Sequence, residues 1–299
     1  MGGAAVKHGS GATVLFDAPG PRAQIRNRVL SALSILLAAM LIWLICSRLA
    51  AKGQFAADKW KPFATADLWR TYVLPGVAGT LTAAGWAIAL ALLLGLVLGV
   101  GRLSGLWPIR VGCAVMVEFF RAVPVLIMMI FSYFVYGALD VFPAPRLALA
   151  GVITGLTLYN GAVIAEIIRA GVNALPCGQG EAAAALGLRW GQAMRLILLP
   201  QAITAMLPVL VSQLVVVLKD TAIGYQITLV EMVRQGTVVG SQYGNYLPAL
   251  TVIAGLMIGV NFILSAAATR LEHRLRRTRR TRLAAAVIEP EGAPAAPVV

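Results

Sequence analysis

Six ionisable side chains lie inside or at the edges of long apolar tracts in this chain, and they come as three close pairs. Glu118 and Arg121 stand three residues apart, as do Glu166 and Arg169, while Lys219 and Asp220 are adjacent. Charge in such surroundings is expensive, so each pair needs a reason. On a helix, an i, i+3 spacing sets opposite charges on one face, where Glu118 and Arg121 can neutralise each other. The competing role for these two is a place beside a path through the apolar layer. Glu166 and Arg169 stand where an apolar tract ends and read as a brace for the loop that follows. For Lys219 and Asp220, mutual neutralisation or a snorkelling lysine stem is enough; contact with a gated solute is the alternative. Tyr159, Asn160, Ser212 and Gln213 are polar groups in otherwise apolar sequence, and helix–helix hydrogen bonding is their default role. No catalytic residue is assigned. Cys46, Cys113 and Cys177 are scattered, so neither a disulfide framework nor a metal site is implied. No lysine follows a glycine, so the phosphate-cradling Gly-Lys-Ser/Thr loop is missing and this chain cannot use ATP in that manner.

The elements that hold these residues are membrane spans. Hydrophobic residues make up 59% of the 299 positions, charged residues 12%, and the mean hydropathy is +0.82. Soluble domains carry about twice that share of charge. Six tracts reach the roughly 20 residues needed to cross a bilayer: 29–47, 75–100, 113–138, 147–166, 200–219 and 248–269. The first is long for a cleaved leader and reads as a signal-anchor helix. Alternation puts the N-terminus, 101–110, 167–199 and the C-terminal tail on one side, with 16 Lys and Arg. The opposite loops, 48–74, 139–146 and 219–247, carry 8. The positive-inside rule therefore places both termini and the 167–199 loop in the cytoplasm. The net charge of +13 does not indicate nucleic acid, because seven arginines from Arg270 to Arg282 follow the last span. A juxtamembrane cluster of that kind attracts anionic membrane lipid. The first 24 residues and the tail beyond the basic cluster read as disordered.

The loop 167–199 has its own internal design. Pro176 and Gly178 break the helix leaving the fourth span. Glu181 and four alanines, Ala182 to Ala185, restart it with the best helix former and little side-chain bulk. Gly187 permits a sharp redirection, and Leu186 and Leu188 supply apolar knobs. A second amphipathic helix, Trp190 to Leu199, returns to the membrane, where Pro200 marks the next span. From these residues alone, a docking helix for a partner and an ordinary helical hairpin are equally good readings.

The spacing Glu181-Ala182-Ala183, Gly187 and Ile197-Leu198-Leu199-Pro200 resembles the EAA loop of ABC-type import permeases. Phe120-Arg121-Ala122-Val123-Pro124 is similar to the Phe-Arg-Gly-Thr-Pro segment of the polar amino-acid uptake permeases. Ala165-Glu166-Ile167-Ile168-Arg169-Ala170-Gly171 and Leu218-Lys219-Asp220-Thr221 resemble segments of the same subfamily. The likeness runs from about residue 76 to 275, with Ala122, Val123 and Cys177 as small departures. The extra first span and its loop look like those of a glutamate-uptake permease.

The resemblance implies an all-α integral membrane protein of about six transmembrane helices: a five-helix ABC importer permease core over 75–275 plus one extra N-terminal helix in 25–74. A basic, then disordered tail occupies 276–299. It implies a multi-pass permease subunit in the cell membrane, importing polar amino acids such as glutamate. Its coupling loop, Glu181, Ala182, Ala183, Gly187, Leu188, Ile197 and Pro200, would engage a pair of ABC ATPase subunits that use the ATP. A second permease subunit, identical or homologous, and an extracytoplasmic solute-binding protein complete the implied assembly. Glu118, Arg121, Asn160, Gln213, Lys219 and Asp220 are the candidates for the substrate pathway, with no metal and no cofactor bound by this chain. The alternatives are an ABC permease for another small polar solute and an ion-coupled secondary transporter. Against the latter, no repeated Gly/Pro interruption marks a pair of half-helices.

Overall fold

A computed structural model describes residues 20–287, with side chains as far as residue 270. The disorder expected for 1–19 and 288–299 lies outside the described residues. Among the described residues every regular element is helical. The chain divides into two units at Ala57–Asp58. The first is dominated by helix α1 (Pro21–Ala51), which opens with proline in its first turn, where the missing N–H is no loss. None of its residues is buried and its apolar window has a mean hydropathy of 2.7. A helix apolar on every face is at home in lipid. The helix begins at Pro21, inside the segment expected to be disordered.

The second unit opens with α2 (Ala57–Trp60), a 3-10 turn (Lys61–Ala64) and α3 (Ala66–Leu68). The expectation that loop 48–74 lies outside the core is corrected for its second half. Leu68 and Val73 are buried with Val239 and Ala249, and Phe63, Trp69 and Tyr72 pack against them. The aromatic residues give this short segment enough apolar area to be held. A π-helical turn, Trp69–Val73, then leads into α4 (Leu74–Arg102).

The third tract is not a straight span. It forms α5 (Trp107–Ala122) and α6 (Val125–Ala138), bent by 100°. Val123 is extended, at φ −84° and ψ 128°, as the residue before a proline prefers. Pro124 then starts the new helix without an N–H to continue the old one. The fourth tract is α7 (Ala144–Asn173), followed by α8 (Gly178–Ala185).

The separate helix expected at Trp190 to Leu199 is also corrected. Helix α9 (Trp190–Ala193) runs through a π turn (Met194–Leu198) straight into α10 (Leu199–Asp220), giving one apolar span over Trp190–Ile227. Both π turns end just before a Leu-Pro pair, Leu74-Pro75 and Leu199-Pro200. A proline removes one ladder bond and crowds the preceding turn, and the wider π turn takes up the mismatch. A 3-10 turn (Thr221–Ile227), α11 (Met232–Gln242) and the long α12 (Tyr246–Val287) complete the unit. Among the described residues, five helices are long and apolar enough to span a bilayer, or six counting the bent pair as one.

The most intimate packing joins α4 to α7. A Cβ on Gly95 would lie 2.5 Å from Ile164 Cγ2, and one on Gly99 would lie 3.0 Å from the Ala165 carbonyl oxygen. The Gly95-x-x-x-Gly99 pair therefore brings the two backbones into near contact. The close approach has a consequence one turn further on: Arg102, at the end of α4, arrives beside Glu166.

Candidate functional site

The elbow between the fourth and fifth spans is closed by its own backbone. At the end of α8, the Leu188 N–H donates to the Ala183 carbonyl at 3.1 Å and the Gly187 N–H to the Ala184 carbonyl at 2.9 Å. This is the Schellman pattern, which needs a left-handed residue at its pivot. Gly187 supplies it at φ +72°. No atom lies within 4 Å of where its Cβ would be, so backbone conformation and not crowding requires glycine here. Ala183 is buried against the elbow, while Glu181 and Ala182 face outward. Glu181 lies in the first turn of α8, where the helix dipole favours a carboxylate. Leu186 is 78% exposed, an apolar knob at the apex. Leu188 and Ile197 are half-buried and Pro200 is exposed on the returning span. Beside the apex, Arg189, Gln192 and Arg195 line an open hollow. The Gln192 side chain accepts the Arg189 N–H at 2.9 Å and so caps α9.

Charged side chains from α4, α5 and α7 converge at the end of the bundle from which this elbow departs. Glu166 is their centre. It accepts from Arg102 Nη1 at 2.6 Å and from Arg169 Nη2 at 2.5 Å and Nε at 3.2 Å. Arg102 Nη2 also donates to Glu118 at 3.0 Å. Arg121 Nη1 stands 3.8 Å from Glu166. The expected pairing of Glu118 with Arg121 is therefore not made: Arg102 takes Glu118, and Arg121 leans toward α7. Glu166 and Arg169 do pair, as their spacing predicts, and hold a third partner that the spacing did not reveal. Arg102 was the residue missed. Its signal was present in the glycine pair one turn earlier, which forces the end of α4 against α7.

Glu118, Arg121, Tyr159, Val163 and Glu166 line a cavity of about 530 Å³. Asn160, one residue from Tyr159, faces another way. It is fully buried, donates to the Leu156 carbonyl at 2.9 Å and accepts from Gln213 Nε2 at 2.7 Å. This is the interhelical polar bond expected of both residues, tying α7 to α10. Ser212 turns its hydroxyl back to the Pro208 carbonyl at 3.0 Å, where that proline leaves a kink-prone turn. Lys219 is exposed and Asp220 half-buried at the far end of α10. Among the described residues neither makes an ion pair within 4 Å. Of the six pathway candidates, the fold thus gathers Glu118 and Arg121 at one cavity, joins Asn160 to Gln213, and leaves Lys219 and Asp220 apart.

A buried carboxylate near that same far end drew no attention in the sequence. Glu231 is fully buried and accepts the Val233 and Arg234 N–H groups at 2.7 and 2.6 Å, capping α11. Burial pushes its carboxyl up to about 6 in spite of those bonds and the Arg234 charge, both of which pull it down. Four residues after a 3-10 turn, an N-cap glutamate is a weak signal, and nothing in the local pattern announces its burial.

Residues 91–277 match the model of a family described as binding-protein-dependent transport system inner membrane component. The chain is 51% identical over 228 residues to the glutamate transport system permease protein GluD of Corynebacterium glutamicum, covering 76% of this chain and 84% of the relative. It is 32% identical to the glutamate/aspartate import permease protein GltK of Escherichia coli, covering 69% and 92%. A crystal structure of an amino acid ABC transporter with histidines superposes with a TM-score of 0.60 at 29% identity, covering 67% of this chain and 92% of that one.

Proposed function

The chain belongs to the family of binding-protein-dependent transport system inner membrane components, and on that premise we propose that it is the permease subunit of an ATP-driven importer of polar amino acids, glutamate foremost. The observation that carries this reading is the elbow: an exposed Glu181, a Schellman turn pivoting on Gly187 and a bare Leu186 at its apex. A short rigid helix of small side chains on a stiff turn suits transmission of force, since a partner can approach its backbone closely. The glutamate assignment is supported by the likeness to the glutamate permease GluD and the glutamate/aspartate permease GltK.

The elbow faces the cytoplasm, and an ABC ATPase pair grips it there together with the elbow of a second permease subunit. Closure of the ATPases on ATP draws the two elbows together. Because α9 and α10 are continuous through the π turn, that motion passes directly into the fifth span. The Glu166 cluster passes it on to the ends of α4 and α5. A solute-binding protein on the opposite side delivers the amino acid, and hydrolysis resets the bundle. The chain itself performs no covalent step. Its residues bind, guide and exclude.

The test replaces Gly187 by tryptophan in the complete transporter. A side chain at φ +72° strains the pivot and fills the docking apex, while its Cβ meets no atom within 4 Å. The variant is expected to insert in the membrane normally and to lose ATPase association or substrate-stimulated hydrolysis. Uptake unchanged from wild type would refute the assignment of the elbow.

A further inference from the structure

The charge cluster is not neutral. Three guanidinium groups, Arg102, Arg121 and Arg169, meet two carboxylates, Glu118 and Glu166, in the ion pairs described above. Glu166 spends its oxygens on Arg102 and Arg169. Arg121 is left at 3.8 Å, outside hydrogen-bonding reach, with its side chain 40% exposed. Glu118 gives one oxygen to Arg102 and is 62% exposed, leaving the other oxygen open. Among the described residues the Arg121 guanidinium therefore has no hydrogen-bonded carboxylate, and its N–H fork stays available to a ligand.

Both under-used groups line the same cavity, one helical turn apart on α5, or roughly 4.5 Å along the axis. Its volume of about 530 Å³ falls within the range of small-molecule sites. Ala122, Val163 and Ile167 form apolar walls, and Tyr159 also lines the cavity. A cation and an anion that face one cavity yet do not pair present the charge pattern complementary to a zwitterion.

We propose that Arg121 and Glu118 form a binding station for the head group of an α-amino acid. The guanidinium takes the α-carboxylate through its planar fork, and the open oxygen of Glu118 takes the α-ammonium. The substrate side chain lies along the apolar wall, so the station reads what all amino acids share and leaves their discrimination to other parts of the assembly. This deepens the amino-acid permease reading and rests on it.

The experiment uses the purified permease–ATPase complex in lipid nanodiscs, without the solute-binding protein, and measures amino-acid binding by calorimetry. Glutamine and isoglutamine are the probes. They are isomers of equal net charge that differ only in whether the α- or the side-chain carboxyl is the amide. Wild type is expected to bind glutamine at least roughly tenfold more tightly than isoglutamine, the loss of one charged hydrogen-bonded pair. Arg121→Gln should erase that preference by weakening glutamine alone, and Arg121→Lys should restore part of it. Glu118→Gln should weaken glutamine but not N-acetylglutamine, which already lacks the ammonium. Arg110→Gln removes an exposed positive charge from the same helix and should change nothing. The assignment is overturned if wild type does not bind glutamine or does not separate the isomers. It is equally overturned if Arg121→Gln weakens both isomers alike, which is the behaviour of a structural latch. ATP-driven amino-acid uptake by the full transporter is measured alongside. If uptake persists while the isomers are not separated, only the head-group station falls; if no amino acid is taken up, the permease reading falls with it.

Discussion

Two glutamate–arginine pairs with the same three-residue spacing meet opposite fates in this bundle. On α7, Glu166 and Arg169 close on each other at 2.5 Å. On α5, Glu118 and Arg121 stay open, each drawn to a different helix. The difference lies in what arrives from outside. Arg102 reaches between the two helices with its side chain only 11% exposed and bonds to both glutamates. Glu166 is close enough to hold Arg102 and Arg169 together, whereas Glu118 turns from its own neighbour to Arg102. Identical local spacing therefore produces a closed brace in one helix and an open, cavity-facing pair in the other. The brace suits a joint that must transmit motion, and the open pair suits a site that must accept and release a charged guest.

The contrast can be broken most forcibly at its centre. Glu166→Ala leaves three arginines to one exposed carboxylate and should destabilise the complex by roughly 3 kcal/mol, read as a lowered thermal midpoint. Glu118→Ala, at a side chain 62% exposed, should barely move that midpoint, and equal losses for the two would show that the brace and the open pair are not distinct. A smaller effect is expected from Gly99→Ile. The added side chain meets the Ala165 backbone and the Ile168 side chain, which should cost about 2 kcal/mol and carry Arg102 away from Glu166. If the packing is what delivers Arg102, that variant should leave little further for Arg102→Gln to remove in a double-mutant cycle.

The gentlest test concerns a carboxylate that has no ion-pair partner within 4 Å among the described residues. Glu231 lies outside the candidate spans and its folded-state pKa, about 6, is above the ordinary 4.5. The folded protein therefore holds this proton more tightly than the unfolded chain does. Its contribution is most favourable below pH 4.5 and declines as pH rises through 6, by about 2 kcal/mol in all. Glu231→Gln should flatten the change in thermal midpoint across that window while giving up one of the two capping bonds. An unaltered pH profile would assign the slope to other groups and leave backbone donors as full substitutes for a counter-charge.

What was legible in the chain follows from the physics of each feature. Span lengths and the elbow are local properties: apolar runs must reach across lipid, and Gly187 after an alanine helix marks a left-handed pivot wherever it occurs. The break at Val123-Pro124 was also written locally, but the predominantly apolar sequence on either side, Glu118 and Arg121 apart, outweighed it in a reading based on hydropathy. Phe63, Trp69 and Tyr72 were passed over because a short segment between spans shows no periodicity, and only the facing surfaces of α11 and α12 make it part of the core. The pairing of charges was the least accessible. Spacing states which partners a side chain can reach, and it is silent about competitors from distant sequence.

By itself, then, the amino-acid order determined a helical membrane protein with a glycine-hinged elbow, since bilayer thickness, helix propensity and backbone chirality act on neighbouring residues. Only the tertiary structure decided which carboxylate Arg102 would occupy and which guanidinium would be left facing a cavity. That outcome depends on how closely α4 can approach α7. The glycines permit the approach, and the packed bundle fixes it.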